Sequence, residues 1–256
     1  MVTAGREELF RRAVGASLKS KFLSTFNIGE NMKEKVLLIT GASSGIGRAT
    51  AFMAAKNGYK LALVARRKSK LKEIVDEVGK DNAIAIPADI TKLKELDKAV
   101  QATVEKFGKI DAVYANAGKG LDKAGMENGD PKEWDQMIDL NVKALLYTAK
   151  TTLPHLRETK GHFLITSSVA GKIYLSGSVY GASKWFASGF GHNLAREMKE
   201  WGGRCTIICP GMVNTEFFDE PKPDKLKPTD IASAVVFALN APHHSTVREI
   251  EVMPTN

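Results

Sequence analysis

Seven short runs of apolar residues recur along the chain from residue 35 onward and predict the strands of a sheet. They lie at 35–40, 60–65, 83–86, 110–115, 162–166, 205–209 and 248–253. Most are continuously apolar rather than alternating, which is typical of strands covered on both faces of a parallel sheet. Between them lie helix-length segments with apolar residues every three or four positions, as at Leu93, Leu96, Val100, Val104 and Phe107. This order predicts an α/β fold, a doubly wound parallel sheet of about seven strands with helices on both faces.

The first 34 residues have a different pattern. Apolar residues recur there every four positions among basic ones, which predicts a basic amphipathic helix with Phe10, Val14, Leu18 and Phe22 on one face. Three interpretations stay open: an organelle transit peptide, an arm that packs on a neighbouring subunit, and residues upstream of a natural start at Met32. Glu7 and Glu8 disfavour the transit peptide, because such peptides avoid acidic residues. We interpret residues 1–34 as a non-catalytic extension and residues 35–256 as a single domain.

The composition and charge exclude several classes of protein. The chain has 256 residues, of which 43% are hydrophobic, so a large folded core is expected. No apolar run approaches the ~18 residues that a membrane-spanning helix needs, and we predict no membrane partner. The net charge is +8, but residues 1–35 hold seven basic and four acidic residues, which leaves a thin surplus elsewhere. Such a surplus is typical of a solvated surface, so we predict no nucleic-acid partner.

The cysteines and histidines indicate neither a disulfide nor a metal site. Cys205 and Cys209 lie in one predicted strand, where steps of ~3.3 Å separate them by roughly 13 Å. A disulfide needs Cα atoms within about 7 Å, so both thiols are predicted to be buried and reduced, which favours a cytoplasmic protein. His243 and His244 are adjacent but lack carboxylate or thiol partners in the sequence, so we predict no metal.

A glycine-rich turn follows the first predicted strand and leads into a predicted helix. Glycines in such a turn permit a tight bend, let a pyrophosphate approach the backbone and let helix and strand pack closely. The start of the helix adds unpaired N–H groups and the positive end of its dipole. The turn therefore predicts a dinucleotide site, whose contacts come from Gly41, Ser43, Ser44, Gly45, Ile46 and Gly47.

The end of the second predicted strand indicates which dinucleotide binds. An acidic residue about 20 positions after the turn would bind the ribose 2′-hydroxyl of NAD, but this strand ends in Ala65, Arg66 and Arg67. A carboxylate would repel a 2′-phosphate, whereas a guanidinium can pair with it through two hydrogen bonds. We therefore predict NADP(H) as the cofactor, with Arg66 as the main contact and Arg67 and Ser43 in support. The alternative interpretation is two solvated arginines after a strand.

Tyr180 and Lys184 form a second candidate constellation. At positions i and i+4 of a predicted helix they share one face, so both can reach one ligand. A phenol titrates near pH 10 in water, and we expect a nearby ammonium and an oxidised nicotinamide to lower that pKa. Upstream, a predicted strand ends in Ser167 and Ser168 at the carboxyl edge of the sheet, where ligands bind in such folds. A serine there can hydrogen-bond to a substrate carbonyl or alcohol.

Together these residues resemble the short-chain dehydrogenase/reductase family, whose turn reads T-G-x-x-x-G-x-G. The resemblance covers nearly the whole chain after residue 34 and implies a Rossmann-type fold. It maps the catalytic serine onto Ser168. The interval from Ser168 to Tyr180 is one residue shorter than is common in the family, so Ser167 stays an alternative.

The resemblance also implies roles for residues elsewhere in the chain. The family's asparagine whose backbone helps to carry protons through water to Lys184 corresponds to Asn141. The segment that steadies the sheet beside the cofactor corresponds to Asn116, Ala117 and Gly118. The adenine end of the cofactor corresponds to Asp89 and Ile90. The loop that holds the nicotinamide amide corresponds to Pro210, Gly211, Val213 and Thr215.

The resemblance implies an enzyme that reversibly reduces a ketone or aldehyde with NADPH, Tyr180 being the acid and base. Apolar residues between Gly211 and Pro228, such as Phe217 and Phe218, indicate a partly hydrophobic small-molecule carbonyl or alcohol substrate. Reduction of a 3-oxoacyl-(acyl-carrier-protein) thioester is an alternative, disfavoured because the chain ends without a Gly-Gly sequence. A non-enzymatic NADPH-binding sensor or scaffold is the other alternative. A homo-oligomer, tetramer or dimer, is expected by family analogy.

Overall fold

Seven strands of the chain form one parallel sheet. The structure is a computed structural model that describes residues 34–121, 125–218 and 220–255. Its strands are β1 (Lys35–Thr40), β2 (Tyr59–Ala65), β3 (Ala83–Pro87), β4 (Ala112–Ala115), β5 (His162–Thr166), β6 (Arg204–Pro210) and β7 (Glu249–Val252). They lie in the order β3-β2-β1-β4-β5-β6-β7, and every neighbouring pair is parallel. The predicted fold class is confirmed.

Helices connect the strands and cover the sheet. They are α1 (Gly45–Lys56), α2 (Lys68–Val78), α3 (Leu93–Phe107), α4 (Pro131–Ile138), α5 (Ala144–Thr159), α6 (Val179–Lys199) and α7 (Pro228–Leu239). Between α4 and α5 the backbone widens into a π-helical turn at Asp139–Lys143, and a short 3₁₀ turn at Val169–Gly171 follows β5. Among the residues described, no helix combines the length and the apolar character that crossing a bilayer requires.

The apolar runs are continuous because both faces of the sheet are buried. Along β1, Leu37 and Ile39 join a core with α1, α2 and α7, whereas Leu38 points into a second core with α3, α5 and α6. Successive strand residues point to opposite faces, so a strand covered on both sides needs apolar residues at every position.

The strand order reverses between β1 and β4. The chain runs outward from β1 to β3 on one side and from β4 to β7 on the other. At such a reversal the loops after adjacent strands diverge and leave a crevice at the carboxyl edge of the sheet. The glycine-rich turn follows β1, and the segment from Asn116 follows β4, so both predicted cofactor elements border this crevice.

Several strand ends differ from the sequence prediction by one or two residues. The fourth strand begins at Ala112 rather than at residue 110, since the Asp111 carboxylate accepts a hydrogen bond from the Val36 amide (2.7 Å). Cys205 and Cys209 are buried free thiols, as predicted, and burial raises the pKa of Cys205 to about 12. The amphipathic helix predicted within residues 1–34 falls, apart from Glu34, outside the described residues.

Candidate active site

The turn between β1 and α1 has no room for side chains at two of its glycines. Gly41 has a φ of +66°, and a Cβ there would stand 2.8 Å from the Ala117 Cα. A Cβ at Gly47 would stand 2.3 Å from the Gly41 carbonyl oxygen. The turn therefore packs its backbone directly against the segment after β4 and against itself, which only glycine permits at these two positions.

The first turn of α1 is arranged to receive an anion. Ser44 precedes the helix, but its side chain makes no capping hydrogen bond, and the fully described helix α1 has no acidic residue in its first turn. The first backbone bond of the helix runs from the Arg48 amide to the Ser44 carbonyl (3.1 Å). The N–H groups at the start of α1 are therefore suited to phosphate oxygens, and the residues present fit a pyrophosphate.

Asn116 joins the ends of three strands beneath this turn. Its Nδ2 donates to the carbonyl oxygen of Thr40 (3.2 Å), and its Oδ1 accepts from the Thr166 hydroxyl (3.2 Å). The Thr40 hydroxyl in turn accepts from the amides of Asn116 (3.1 Å) and Ala117 (3.3 Å). The glycine turn after β1 is thereby fixed relative to β4 and β5, which keeps the crevice at a constant shape.

The two serines after β5 point in different directions. Ser167 is 2% exposed, and its hydroxyl donates to the Lys184 carbonyl (3.0 Å) and bonds the Ser188 hydroxyl (2.7 Å) beneath α6. The Ser168 hydroxyl accepts from the Ala170 amide (3.1 Å) and lies 3.4 Å from the Pro210 carbonyl oxygen, and its proximity lowers the pKa of Tyr180. Ser168 is therefore the serine beside the tyrosine, and Ser167 holds the helix that carries Lys184.

Tyr180 lies in the first turn of α6, which Ser178 caps. Burial raises the pKa of Tyr180 and outweighs the opposite effect of the nearby Ser168 hydroxyl. The predicted lowering of this pKa by Lys184 and an oxidised nicotinamide concerns the chain with its cofactor bound and stays a prediction; in the chain alone the Lys184 Nζ lies 5.8 Å from the ring centroid and donates to the Thr166 carbonyl. Tyr180 is consequently a protonated phenol at neutral pH.

Lys184 is 5% exposed and its ammonium is held in a fixed position. The Nζ donates to the carbonyl oxygen of Thr166 (3.1 Å), and burial lowers the pKa of Lys184 to about 8. A Cβ at Gly118 would stand 3.4 Å from this Nζ and 3.2 Å from the Asn141 Oδ1. Gly118, Asn141 and Lys184, predicted from separate segments, therefore lie together.

The side chain of Asn141 is fully occupied in holding the backbone around it. Its Nδ2 donates to the Lys119 carbonyl (3.0 Å) and the Ser183 hydroxyl (3.1 Å), and its Oδ1 accepts from the Lys119 amide (2.9 Å). Asn141 lies inside the π-helical turn between α4 and α5. Such turns are frequent at functional sites because they shift the backbone groups of one residue out of the helical register.

The arginines after β2 have different surroundings. Arg67 is the N-terminal flanking residue of α2; its Nε donates to the Ser43 hydroxyl (3.2 Å), and one terminal nitrogen donates to the Glu216 carboxylate (2.9 Å). Arg66 is exposed and lies near Asp89. Burial alone would raise the pKa of Asp89, but hydrogen bonds from Thr91 and the charges of Lys92 and Arg66 lower it. The Arg67 guanidinium therefore borders the glycine turn, whereas Arg66 lies toward Asp89.

The loop after β6 crosses the crevice from the glycine turn to Tyr180. Val213 is buried and forms a β-bridge with Leu226, while the Gly211 amide donates to the Val252 carbonyl (2.8 Å). The Thr215 Cγ2 lies 3.2 Å from the position of a Cβ at Gly45. The ring of Phe217 packs against that of Tyr180, with centroids 5.8 Å apart. This loop therefore contacts both the glycine turn and Tyr180.

Comparison with known proteins decides the family. The sequence matches the short chain dehydrogenase family over residues 35–226. The chain belongs to the short-chain dehydrogenase/reductase family. An uncharacterised oxidoreductase of Staphylococcus aureus (strain MRSA252) is 36% identical over 228 residues, which cover 87% of this chain and 98% of that protein. The chain is therefore an oxidoreductase of the short-chain type.

Solved structures of short-chain dehydrogenases/reductases have the same fold. An alcohol dehydrogenase from the archaeon Thermococcus sibiricus, complexed with 5-hydroxy-NADP, is 31% identical with a TM-score of 0.81, covering 87% of this chain and 97% of that one. A 3-ketoacyl-(acyl-carrier-protein) reductase from Brucella melitensis, complexed with NADH, is 31% identical with a TM-score of 0.79, covering 85% and 96%. The Rossmann-type fold predicted from the family resemblance is confirmed.

The family motifs quoted from the sequence lie around one crevice, but Ile90 differs from the others because its side chain belongs to the apolar core. Ile90 is buried in the apolar cluster that includes Leu96 of α3, so it shapes the wall rather than lining the surface. Pro210 ends β6, and its carbonyl lies 3.4 Å from the Ser168 hydroxyl. Sequence reasoning missed Glu216 as a neighbour of the arginines. No spacing could have indicated it, because 149 positions separate it from Arg67.

Proposed function

We propose that this short-chain dehydrogenase/reductase is an NADP(H)-dependent enzyme that reversibly reduces a ketone or aldehyde to an alcohol. The observation that carries the proposal is the position of Ser168, Tyr180 and Lys184 beside the glycine turn at one edge of the sheet. The Ser168 hydroxyl is near enough to Tyr180 to lower its pKa, and the Lys184 Nζ lies 5.8 Å from the centroid of the same ring. The oxidoreductase relatives support hydride chemistry in this crevice.

The cofactor, when bound, supplies or accepts a hydride, and the chain supplies orientation and protons. The Ser168 hydroxyl donates a hydrogen bond to the carbonyl oxygen of the substrate. Tyr180, whose pKa is raised by burial, keeps its proton at neutral pH and transfers it to the same oxygen during reduction. Lys184 would hold the nicotinamide ribose, and the backbone of Asn141 would position a water that returns the proton to the tyrosine.

The preference for NADP(H) rests on the residues after β2. The glycine turn and the amide groups at the start of α1 fit the pyrophosphate of either dinucleotide. Arg66 and Arg67 replace the acidic residue that would bind a ribose 2′-hydroxyl, and Ser43 fixes Arg67 against the turn (3.2 Å). The relatives do not decide between the cofactors, since one structure carries an NADP derivative and the other NADH.

The substrate is proposed to be a partly hydrophobic small-molecule carbonyl compound. Phe217 packs on Tyr180, and Phe218 meets Phe217 edge-on with centroids 5.2 Å apart. Aromatic rings beside the tyrosine favour an apolar group next to the reacting carbonyl. A 3-oxoacyl thioester is the second candidate, and the similarity to the Brucella melitensis reductase is the observation in its favour.

A screen of NADPH oxidation tests the proposed function. Aldehydes, β-keto esters, diketones and acetoacetyl thioesters are offered to the full chain, with NADH in a parallel series. We expect turnover of at least one simple carbonyl class, faster with NADPH than with NADH. Turnover of thioesters alone would instead favour the second candidate, a 3-oxoacyl thioester substrate. Tight NADPH binding without turnover of any class would contradict an enzymatic role and indicate a sensor or scaffold.

A further inference from the structure

The ion pair between Arg67 and Glu216 connects two parts of the candidate site that lie far apart in the sequence. Arg67 flanks α2 at the ribose end of the predicted cofactor position, and Glu216 belongs to the loop after β6. One terminal nitrogen of Arg67 lies 2.9 Å from the Glu216 carboxylate, and both side chains are about half exposed or more, at 46% and 68%. The pair therefore bridges the mouth of the crevice.

Each of the two edges through which the Arg67 guanidinium could bind a phosphate already has a hydrogen-bond partner. A guanidinium binds a phosphate most strongly through two parallel N–H groups, either on its two terminal nitrogens or on Nε and one terminal nitrogen. Glu216 holds a terminal nitrogen (2.9 Å), and Ser43 holds Nε (3.2 Å). A 2′-phosphate that pairs with Arg67 through two bonds must either displace Ser43 from Nε or share a terminal nitrogen with the Glu216 carboxylate.

Charge decides which partner gives way. A phosphomonoester carries nearly two negative charges at neutral pH, so a carboxylate on the same guanidinium repels it, whereas the neutral Ser43 hydroxyl does not. The Arg67–Glu216 pair is exposed, and exposed ion pairs are weak enough for a dianion to displace. NAD(H), which has a hydroxyl at this position, leaves the ion pair in place.

Displacing Glu216 also affects the loop that carries it. Glu216 lies between Thr215, which packs on Gly45, and Phe217, which packs on Tyr180. The loop is anchored behind these residues, since the Asn214 amide donates to the Leu226 carbonyl (2.7 Å). Release of the carboxylate therefore frees the short segment beside the tyrosine without detaching the whole loop.

We propose that Glu216 is a specificity-determining residue, whose carboxylate competes with the ribose 2′-phosphate of the cofactor for the Arg67 guanidinium. The inference rests on the proposed NADP(H) function and deepens it. In this arrangement Arg67 binds Glu216 and so holds the loop across the crevice until a 2′-phosphate binds the guanidinium in place of the carboxylate. Glu216 therefore lowers the binding affinity for NADP(H) relative to that for NAD(H) without contacting the nicotinamide of either cofactor.

The test measures binding of adenosine 2′,5′-bisphosphate and of 5′-AMP, which differ in the 2′-phosphate alone, to the full chain and to Glu216→Gln. We expect Glu216→Gln to bind the bisphosphate about two- to fivefold more tightly, the range that an exposed ion pair accounts for, and to bind 5′-AMP unchanged. The gain should shrink in 1 M salt, which screens exposed charges. In an Arg67→Ala background Glu216→Gln should have no further effect.

Glu220→Gln is the matched control, because Glu220 lies on the same loop and its carboxylate faces Lys222 (3.4 Å) instead of Arg67. It should leave both affinities unchanged. If Glu216→Gln binds the bisphosphate equally well or more weakly, Glu216 orients Arg67 rather than competing for it, and the inference is overturned while the NADP(H) proposal stands. If the unaltered chain binds 5′-AMP as tightly as the bisphosphate, the NADP(H) preference itself fails.

Discussion

Adjacent side chains at the end of β5 have unlike roles because the backbone alternates direction as it leaves the sheet. Ser167 points beneath α6 and bonds the Lys184 carbonyl (3.0 Å), whereas Ser168 points into the crevice toward Tyr180. The same alternation separates Arg66, which is exposed beside Asp89, from Arg67, which bonds to Ser43. At this scale, function depends on which of two neighbours faces the crevice.

The serine pair offers a matched experiment. Ser168→Ala removes a donor to the substrate oxygen and should lower kcat/KM for carbonyl reduction by about 10²- to 10³-fold with little loss of folding stability. Ser167→Ala should keep most of the turnover but lower the free energy of unfolding by about 1–3 kcal/mol, because the buried Lys184 carbonyl loses its donor. Steady-state kinetics and urea unfolding check both. A larger kinetic loss in Ser167→Ala would reverse the assignment.

Arg66 tests the cofactor preference at the same scale. Arg66→Asp places a carboxylate where a 2′-phosphate would bind, so NADPH affinity should collapse and NADH should become the better cofactor. Dissociation constants for both dinucleotides, measured by fluorescence titration, give the ratio directly. An unchanged ratio would assign the preference to other residues.

The glycine turn and the helix that follows it act as one element. The turn positions the first N–H groups of α1 at the carboxyl edge of the sheet, and Asn116 fixes its other side to β4 and β5. The approach of α1 to the turn leaves no volume at Gly47, where a Cβ would stand 2.3 Å from a carbonyl oxygen. A backbone carbonyl cannot move aside as a flexible side chain can. The turn therefore requires glycine at position 47.

Gly47→Ala should therefore displace the turn, abolish dinucleotide binding and destabilise the fold. Gly189→Ala is the control, since Gly189 lies in the middle of α6 with nothing within 4 Å of its Cβ position. That change should stabilise the chain by about 0.5–1 kcal/mol, because alanine loses less conformational freedom in a helix. Thermal unfolding with and without NADPH checks both variants. Gly47→Ala that binds NADPH normally would contradict the close approach.

Sequence patterns predicted the elements well where burial alone decides them. Continuous apolar runs placed β1 and β5 at the residues that the structure gives, because every interior position of these doubly covered strands is apolar. Three features of the site escaped such patterns. The orientation of Ser167 depends on a turn, the raised pKa of Tyr180 depends on burial, and the partner of Arg67 lies 149 positions away. Each depends on tertiary contacts that no local spacing encodes.

Across the whole molecule, the amino edge of the sheet is where we expect a response to pH. His162 is 2% exposed on β5, and its Nε2 bonds the Thr206 hydroxyl (2.7 Å) of β6. Burial, followed by the nearby charge of Arg204, lowers the pKa of His162 well below its usual value. The native chain therefore keeps this imidazole neutral at a pH where the unfolded chain protonates it.

The sign of the consequence follows from proton uptake. Below about pH 6.5 the unfolded state binds a proton at His162 that the native state does not, so the free energy of unfolding falls by up to about 1.4 kcal/mol per pH unit. Urea unfolding between pH 7.5 and 5 should show this decline, and His162→Gln should flatten it. His244→Gln, at an exposed position in the loop before β7, should leave the slope unchanged. An equal slope in His162→Gln would assign the effect to other groups.

The role of Tyr180 is the central claim of the proposed function, and one variant tests it most directly. Tyr180→Phe removes the phenolic proton while keeping the ring that packs on Phe217. For a carbonyl substrate that the unaltered chain reduces, the account predicts that Tyr180→Phe abolishes NADPH oxidation while the NADPH dissociation constant stays within about twofold, a change worth under roughly 0.5 kcal/mol. Substantial remaining turnover with NADPH bound would contradict it.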